Sequence, residues 1–416
     1  WARGMEIINE ETDEKIDYGT ERYRKIPLGN VFSLIQTENS EYDNKNLTCF
    51  NLSPLSISPE NIFPEEFKQE IVNSQELHKE MWNKFYKELF SIPTPKHNAE
   101  LRYYIGTLYY LLKKYLWKIP ADTREPFPVS SLFEHTKVTA AIAWSIKVFI
   151  EESDSNDSFV FENNRLKIKN GVYPLILLHV GISGIQKFIY NITSKYAAKS
   201  LRGRSFYLQA LIQDIALDIL NEIGGFEANI VYSSGGKLFM ILPNTINVTR
   251  KIKDLEKKYL DILWKKFEGD LFLYIDYLPF AYDNDIKDEK KPRLWIEGYS
   301  KPQHFYKLWD TLIKKADRKK QTRFIHKLAN ESEFSKFFHP SGYGGEKQIC
   351  AVTGSELEIV EELTDDGEDN TIFVSKEVKL QKRIGELLPE HKLIAFGKID
   401  NAHAIEIITK NRLFIE

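Results

Sequence analysis

The feature that most limits how this chain can fold is the order of apolar and amphipathic segments across residues 173–280. The run YPLILLHV (173–180) reads as an apolar strand, and a helix over about 182–194 follows it. The segment AAKSLRGRSFYLQALIQDIALDILNEIGG contains a helix with Leu208, Leu211, Ile212, Ile215, Ile219 and Ile223 on one face. Gly224 and Gly225 supply its C-terminal stop. ANIVYSSGGKLFMILPN reads as two strands around a turn at Ser234, Gly235 and Gly236. A charged amphipathic helix, NVTRKIKDLEKKYLDILWKKFEGD, and a last strand, LFLYIDYLPF, complete the series. The order is β-α-β-β-α-β with a lengthened first connection, so the expected class is α+β with a ferredoxin-like unit.

At 416 residues the chain exceeds one ordinary core. We expect four regions: 1–60, a helical region 61–170, the ferredoxin-like unit 171–290, and a helical and small mixed region 291–416. The net charge of −3 rules out a polycation, so any nucleic-acid contact must come from local patches. Two cysteines, Cys49 and Cys350, imply no disulfide framework and fit a reducing, cytoplasmic setting. No apolar run is long enough to cross a membrane, and no signal peptide is visible. The Tyr- and Leu-rich LRYYIGTLYYLLKKYLW is broken by charge and reads as core rather than membrane surface. The chain starts at Trp1 without an initiator Met, which we read as a trimmed or partial chain.

A catalytic palm of this topology needs carboxylates at the end of its first strand and in its central hairpin, where they hold metal ions against a phosphate. Here the first strand ends His179, Val180, Gly181, Ile182, Ser183, and the hairpin reads Tyr232 to Lys237. Neither contains an acid. Glycines and hydroxyls at such turns either satisfy turn geometry or let a nucleotide approach the backbone, and both readings stand. KSLRGRSF (199–206) is expected as a loop whose Lys199, Arg202 and Arg204 contact phosphate or nucleic acid, or as a solvated helix start. The basic stretch 313–327 offers Lys319, Lys320 and Arg323 to a nucleic-acid backbone, or is a solvated helix face. Thr353 stands where a C-x-x-C partner of Cys350 would be, so no four-thiolate zinc site is expected. His135 reads as a core residue, and no His-Asp pair or Ser/His/Asp signature is present.

The run ISGIQKFIY…AAKSLRGRSFYLQAL…ANIVYSSGGKLFMILPNT resembles the first palm of the large, polymerase-like subunit of type III-A CRISPR effector complexes. WARGME is similar to the segment after that family's HD nuclease domain, and VSSLFEHTKVTAAIA to its helical segment before the palm. GGEKQICAVTG…RIGELLP looks like a linker domain that has lost its zinc ligands. The resemblance implies a subunit of antiviral defence. Its HD domain cuts single-stranded DNA, and its two palms enclose two ATP molecules and make cyclic oligoadenylate.

Carried over by position, the nucleotide-binding candidates are Ser183, Gly184, Gln186, Arg204, Ser205, Ser233, Ser234, Gly235 and Gly236. ATP is the implied ligand, with Mg²⁺ held by the partner palm and no zinc. Implied partners are other type III subunits, guide and target RNA through the complex, and a second palm, with no membrane. Gly181 stands where many members have Asp, and Ser234 to Lys237 where the second palm has its acidic hairpin. With no HD domain before residue 1 and no second palm before Glu416, the chain alone is expected to be neither a DNase nor a complete synthetase. Two rival readings are a catalytically silent structural subunit and a free-standing nucleotide cyclase-like palm.

Overall fold

The helical spacing of aromatics in residues 75–116 is realised as two helices, α1 (Gln75–Ser91) and α2 (Asn98–Leu116). The computed structural model describes residues 6–8, 15–17, 26–35, 47–66, 75–122, 127–153, 158–162, 165–191, 197–267, 269–282, 293–338, 347–357, 359–363, 371–390, 394–397, 405–409 and 412–415. The expectations for residues 1–5, for a helix reaching 194, for 344–346 and for the acidic loop beyond Leu363 therefore lie outside the described residues. The chain divides into two units, residues 1–141 with 226–228, and residues 142–225 with 229–416.

In the first unit, α1 and α2 bury Met81, Leu111 and Tyr115 against Leu52. Glu88 accepts from Lys114 and from the Tyr115 hydroxyl, each at 2.7 Å. The Pro- and Ser-rich segment after Leu52 is tied down by Lys118. This buried ammonium donates to Ser53 Oγ at 2.8 Å and Asn61 Oδ1 at 2.7 Å. The strands Leu28–Gly29, Thr48–Phe50 and Glu65–Glu66 form a small antiparallel sheet. Helix α3 (Leu132–Glu152) carries the boundary between the two units.

The second unit is built on strand β1 (Leu175–Ser183). A short helix α4 (Ile185–Tyr190) and the long α5 (Ala197–Ile223) follow. Strands β2 (Ile230–Ser234) and β3 (Lys237–Pro243) form the hairpin, and then come α6 (Ile246–Phe267) and β4 (Phe272–Tyr282). Every pairing is antiparallel and the order is β4-β1-β3-β2, the arrangement that two crossing β-α-β connections produce. A fifth strand, β5 (Leu294–Ile296), extends the sheet beside β4, where the sequence suggested only helix.

Alternation along β1 separates two environments. Ile176, Leu178, Val180 and Ile182 face the core made with Leu211, Ile215 and Ile219 of α5 and Val248, Ile252 and Leu263 of α6. Helix α7 (Phe305–Gln321) packs against the other face, on β1 and β4. There Trp309 stacks on Phe239 at 3.7 Å, Phe239 on His179 at 4.2 Å, and Tyr274 meets His179 edge-on at 5.3 Å. Two buried acids tie helices to their surroundings. Asp214 accepts the Ile408 and Thr409 N–H groups at 2.9 and 2.8 Å, and Asp218 accepts the Tyr259 hydroxyl at 2.9 Å.

Beyond α7 lie a hairpin of β6 (Glu361–Leu363) and β7 (Ile372–Val374), helix α9 (Lys376–Glu390) and a three-stranded sheet of Ile394–Gly397, Ile405–Glu406 and Arg412–Ile415. The short α8 (Glu331–Phe338) precedes them.

His179 is 1 % exposed, and neither ring nitrogen has a hydrogen-bond partner. Burial, reinforced by Lys237 and Lys320 and opposed by Asp276 and Asp317, pushes its pKa down to about 4. In the unfolded chain the imidazole titrates near 6.5, so acid is taken up by the unfolded state first. Stability should therefore fall as pH drops from about 6.5 to about 4 and this loss should level off below that, reaching roughly 3 kcal/mol. Denaturant midpoints across that range check this, and His179→Phe should remove that part of the profile.

Candidate nucleotide-binding site

The β2–β3 connection is a two-residue turn in which Gly235 and Gly236 have φ of +58° and +73°. Both positions are left-handed, which is the turn that matches the twist of a hairpin and strongly favours glycine. The result is a tip without side chains. Beside it, Arg202, Ser205, Phe206, Leu208 and Gln209 of α5, with Ile185 and Leu388, enclose a cleft of about 470 Å³. Arg202, Ser205 and Gln209 are exposed. Arg202 Nη1 donates to the Gly385 carbonyl at 3.0 Å, which orients the guanidinium and leaves donors on its other nitrogens. The structure thus gathers Ser205, Gly235 and Gly236 from the nucleotide candidates with Arg202 from the nucleic-acid candidates.

KSLRGRSF is not a loop. All of it lies inside α5, and its glycine serves a helix crossing. A Cβ on Gly203 would lie 1.7 Å from the Gln381 carbonyl oxygen, and one on Gly385 would lie 2.0 Å from that of Lys199. Helices α5 and α9 meet backbone to backbone at this point, with Lys199 paired to Glu386 at 3.3 Å alongside. Arg204 also departs from expectation. It is 3 % exposed and donates to Gln381 Oε1 and to the Phe188 and Asn191 carbonyls at 3.0, 2.6 and 2.9 Å. It points away from the cleft that Ser205 lines, because adjacent residues on a helix lie on different faces.

The turn after β1 has its own packing reasons for glycine. A Cβ on Gly181 would meet the Tyr274 hydroxyl at 2.1 Å. Gly184 has φ +90° and would meet the Asp270 carbonyl oxygen at 1.9 Å. Ser183 is half-buried and Gln186 exposed; with Ser233 and Ser234 they stand at the same sheet end, outside the lining of the cleft. The Ser233 hydroxyl is buried without a partner.

Residues 174–340 match the family model described as Csm1 subunit domain B. A subtype III-A protein of Methanocaldococcus jannaschii, described as the CRISPR system single-strand-specific deoxyribonuclease Cas10/Csm1, is 31% identical over 301 residues, covering 66% of this chain and 35% of that protein. Its counterpart from Enterococcus italicus is 26% identical over 439 residues, covering 100% of this chain and 53% of the relative. The chain thus carries a Csm1 domain B and is homologous to Cas10/Csm1 proteins of subtype III-A over much of its length. It spans about a third to a half of the length of these two relatives. Among solved structures, a Csm1-Csm4 cassette in complex with one ATP matches with a TM-score of 0.56 at 21% identity, covering 94% of this chain and 41% of that one. A Csm1-Csm4 subcomplex matches with a TM-score of 0.55 at 20% identity, covering 94% and 42%. These likenesses show the fold.

The basic stretch of α7 and its continuation do not form an open cationic stripe. Lys315 pairs with Asp276 at 3.1 Å and Lys327 with Asp261 at 3.0 Å. Lys319 donates to both Glu256 oxygens, at 2.9 and 3.2 Å, and to the Ile275 carbonyl. Lys320 donates to Asp317 at 2.8 Å. Of the three candidates here, only Arg323 is an exposed cation, stacked over Phe324 at 4.3 Å. Lys315, Lys319 and Lys327 thus fasten α7 and its continuation to β4 and α6.

Cys350 is buried, and the Thr353 N–H donates to its sulfur at 3.4 Å. Gly354 has φ +74° and its N–H donates to the Cys350 carbonyl at 2.9 Å, closing a tight turn around this sulfur. An apolar cluster of Val352, Leu357, Leu363, Val374 and Val378 surrounds it. Among the described residues no group of three or more His, Cys, Asp or Glu could hold a metal ion. Sequence reasoning missed Gln209 and Leu388. Gln209 was findable, since it stands one helical turn after Ser205; Leu388 needs the α5–α9 crossing.

Alanine normally gains up to about 1 kcal/mol over glycine inside a helix. At the crossing the sign should reverse, with Gly203→Ala and Gly385→Ala each losing about 2–3 kcal/mol because backbone must move. Gly106→Ala, on α2, is the control: its Cβ would meet only the Glu227 side chain, at 3.5 Å, and it should be neutral or stabilising. Thermal unfolding of the three variants distinguishes these outcomes.

Proposed function

We propose that this chain is the central part of a type III-A CRISPR large subunit and forms one wall of an ATP pocket used for cyclic oligoadenylate synthesis. The observation that carries the reading is the cleft at the glycine hairpin, where Arg202, Ser205, Gln209, Gly235 and Gly236 converge. The fold agrees with a first palm in its β4-β1-β3-β2 order. Solved relatives with the same fold are Csm1-Csm4 cassettes in complex with one ATP, AMPPNP and pppApApA. The other wall is a second palm, which supplies the metal-binding carboxylates.

Mg²⁺ does not fit this wall. The end of β1 and the hairpin offer no carboxylate, and Tyr274 fills the space over Gly181. In the assembled complex the chain also scaffolds neighbouring subunits and the guide RNA, in the cytoplasm. No helix of the described residues is long and apolar enough to cross a membrane. The turn at Cys350 is packed by an apolar cluster, which supports a linker that needs no zinc.

A second reading, a silent structural subunit, is favoured by one observation: α7 covers the sheet face opposite α5 and α6. One titration separates the two. In the assembled complex carrying both palms, Ser205→Trp should fill the cleft and weaken ATP binding at least about tenfold, with assembly unchanged. Unchanged ATP affinity in a correctly assembled complex would leave only the structural reading.

A further inference from the structure

At the end of the sheet, the space that a side chain at Gly181 would take is filled by the Tyr274 hydroxyl, 2.1 Å from the Cβ position. That hydroxyl and the Lys320 ammonium interact favourably across the α7–β4 contact. The Lys320 ammonium lies 5.2 Å from the Tyr274 ring centroid and 2.8 Å from Asp317. Lys237 stands directly across the ladder from Gly181 and alternates with Phe239, so it faces the same side as His179 and Tyr274. It is exposed. Two ammonium groups therefore flank the place where a catalytic palm needs an acid.

We propose that Lys237 and Lys320 bind the polyphosphate of the nucleotide, supplying at this wall the positive charge that a metal ion supplies elsewhere. The proposal rests on the pocket reading above. The chemistry is specific. A polyphosphate carries several negative charges and accepts from ammonium donors, whereas a bare divalent cation is repelled by two lysines and finds no carboxylate at Gly181 or the hairpin. The hairpin tip carries no side chain, so a phosphate chain can pass over Gly235 and Gly236 from the cleft to Lys237. The field is already felt by neighbouring groups. Beyond the effect of burial, both lysines depress His179, and Asp317 is held down first by its bond to Lys320 and further by Lys237. Asp276 is paired with Lys315, so Asp317 against Lys237 and Lys320 leaves the cluster net positive.

The test is ATP and adenosine binding to the assembled complex, in EDTA and in Mg²⁺, with Lys237→Gln, Lys320→Gln, Lys237→Arg and Ser205→Trp. In EDTA each Gln variant should weaken ATP about five- to tenfold and leave adenosine unchanged, and Lys237→Arg should retain ATP affinity. Ser205→Trp should weaken both ligands. Because Lys237 is exposed, its variant should keep the parental unfolding midpoint, which makes a loss of affinity attributable to charge. If the Gln variants bind ATP normally in EDTA while Ser205→Trp does not, the phosphate role is overturned and the pocket stands. If Ser205→Trp also binds both ligands normally, the pocket reading falls with it.

Discussion

The second unit depends on burying β1 from both sides. A sheet of antiparallel strands ordinarily leaves one face in water, and its strands then alternate apolar and polar residues. β1 is instead buried on both faces: Leu175, Ile176, Leu177, Leu178 and Val180 are all fully buried. Such a strand obliges the chain to supply a second layer, and α7 is that layer. The consequence reaches every charge on the helix. A lysine brought against a sheet must find an acceptor or lose its hydration without return. Asp276 and Glu256 meet that need for Lys315 and Lys319. The same closure leaves His179 neutral between aromatic rings.

The second constraint is the contact of two backbones at Gly203 and Gly385. Side chains normally hold helices 8–10 Å apart. Glycine at both positions lets carbonyl oxygens of one helix come to where a Cβ of the other would be. Arg204 and Arg202 then work in opposite directions from one turn of helix. Arg204 is buried and satisfied by three uncharged oxygens, while Arg202 takes one carbonyl of the crossing and remains on the cleft. The cleft wall is therefore only as well placed as the crossing beside it.

Much of this was legible in the sequence, and the remainder has a physical reason for being hidden. The strands, the hairpin and its glycine turn, and the long faces of α5 and α6 follow from periodicity and turn chemistry, which are local. The role of KSLRGRSF does not, because the glycine that explains Gly203 lies at position 385. A run of lysines looks the same whether it faces water or acids far along the chain. Lys319 finds Glu256 and Lys327 finds Asp261, and neither partner can be named without the fold. The absence of acids at the end of β1 and in the hairpin was visible, but not that Tyr274 fills the space beside Gly181.

That arrangement bears on how two palms can share one nucleotide site. Two walls lined with carboxylates would face each other with like charge, and would approach only when metal ions filled the gap. A wall with a bare glycine tip, hydroxyls and two ammonium groups has no such difficulty. In the proposed pocket it would complement an acidic, metal-bearing wall before any ligand arrives. An acid placed at Gly181 alone would not create a metal site, since Tyr274 already fills the space its side chain would need. The absence of an acid at Gly181 is thus built into the packing of β1 against β4, and the proposed division of labour between two walls rests on that packing.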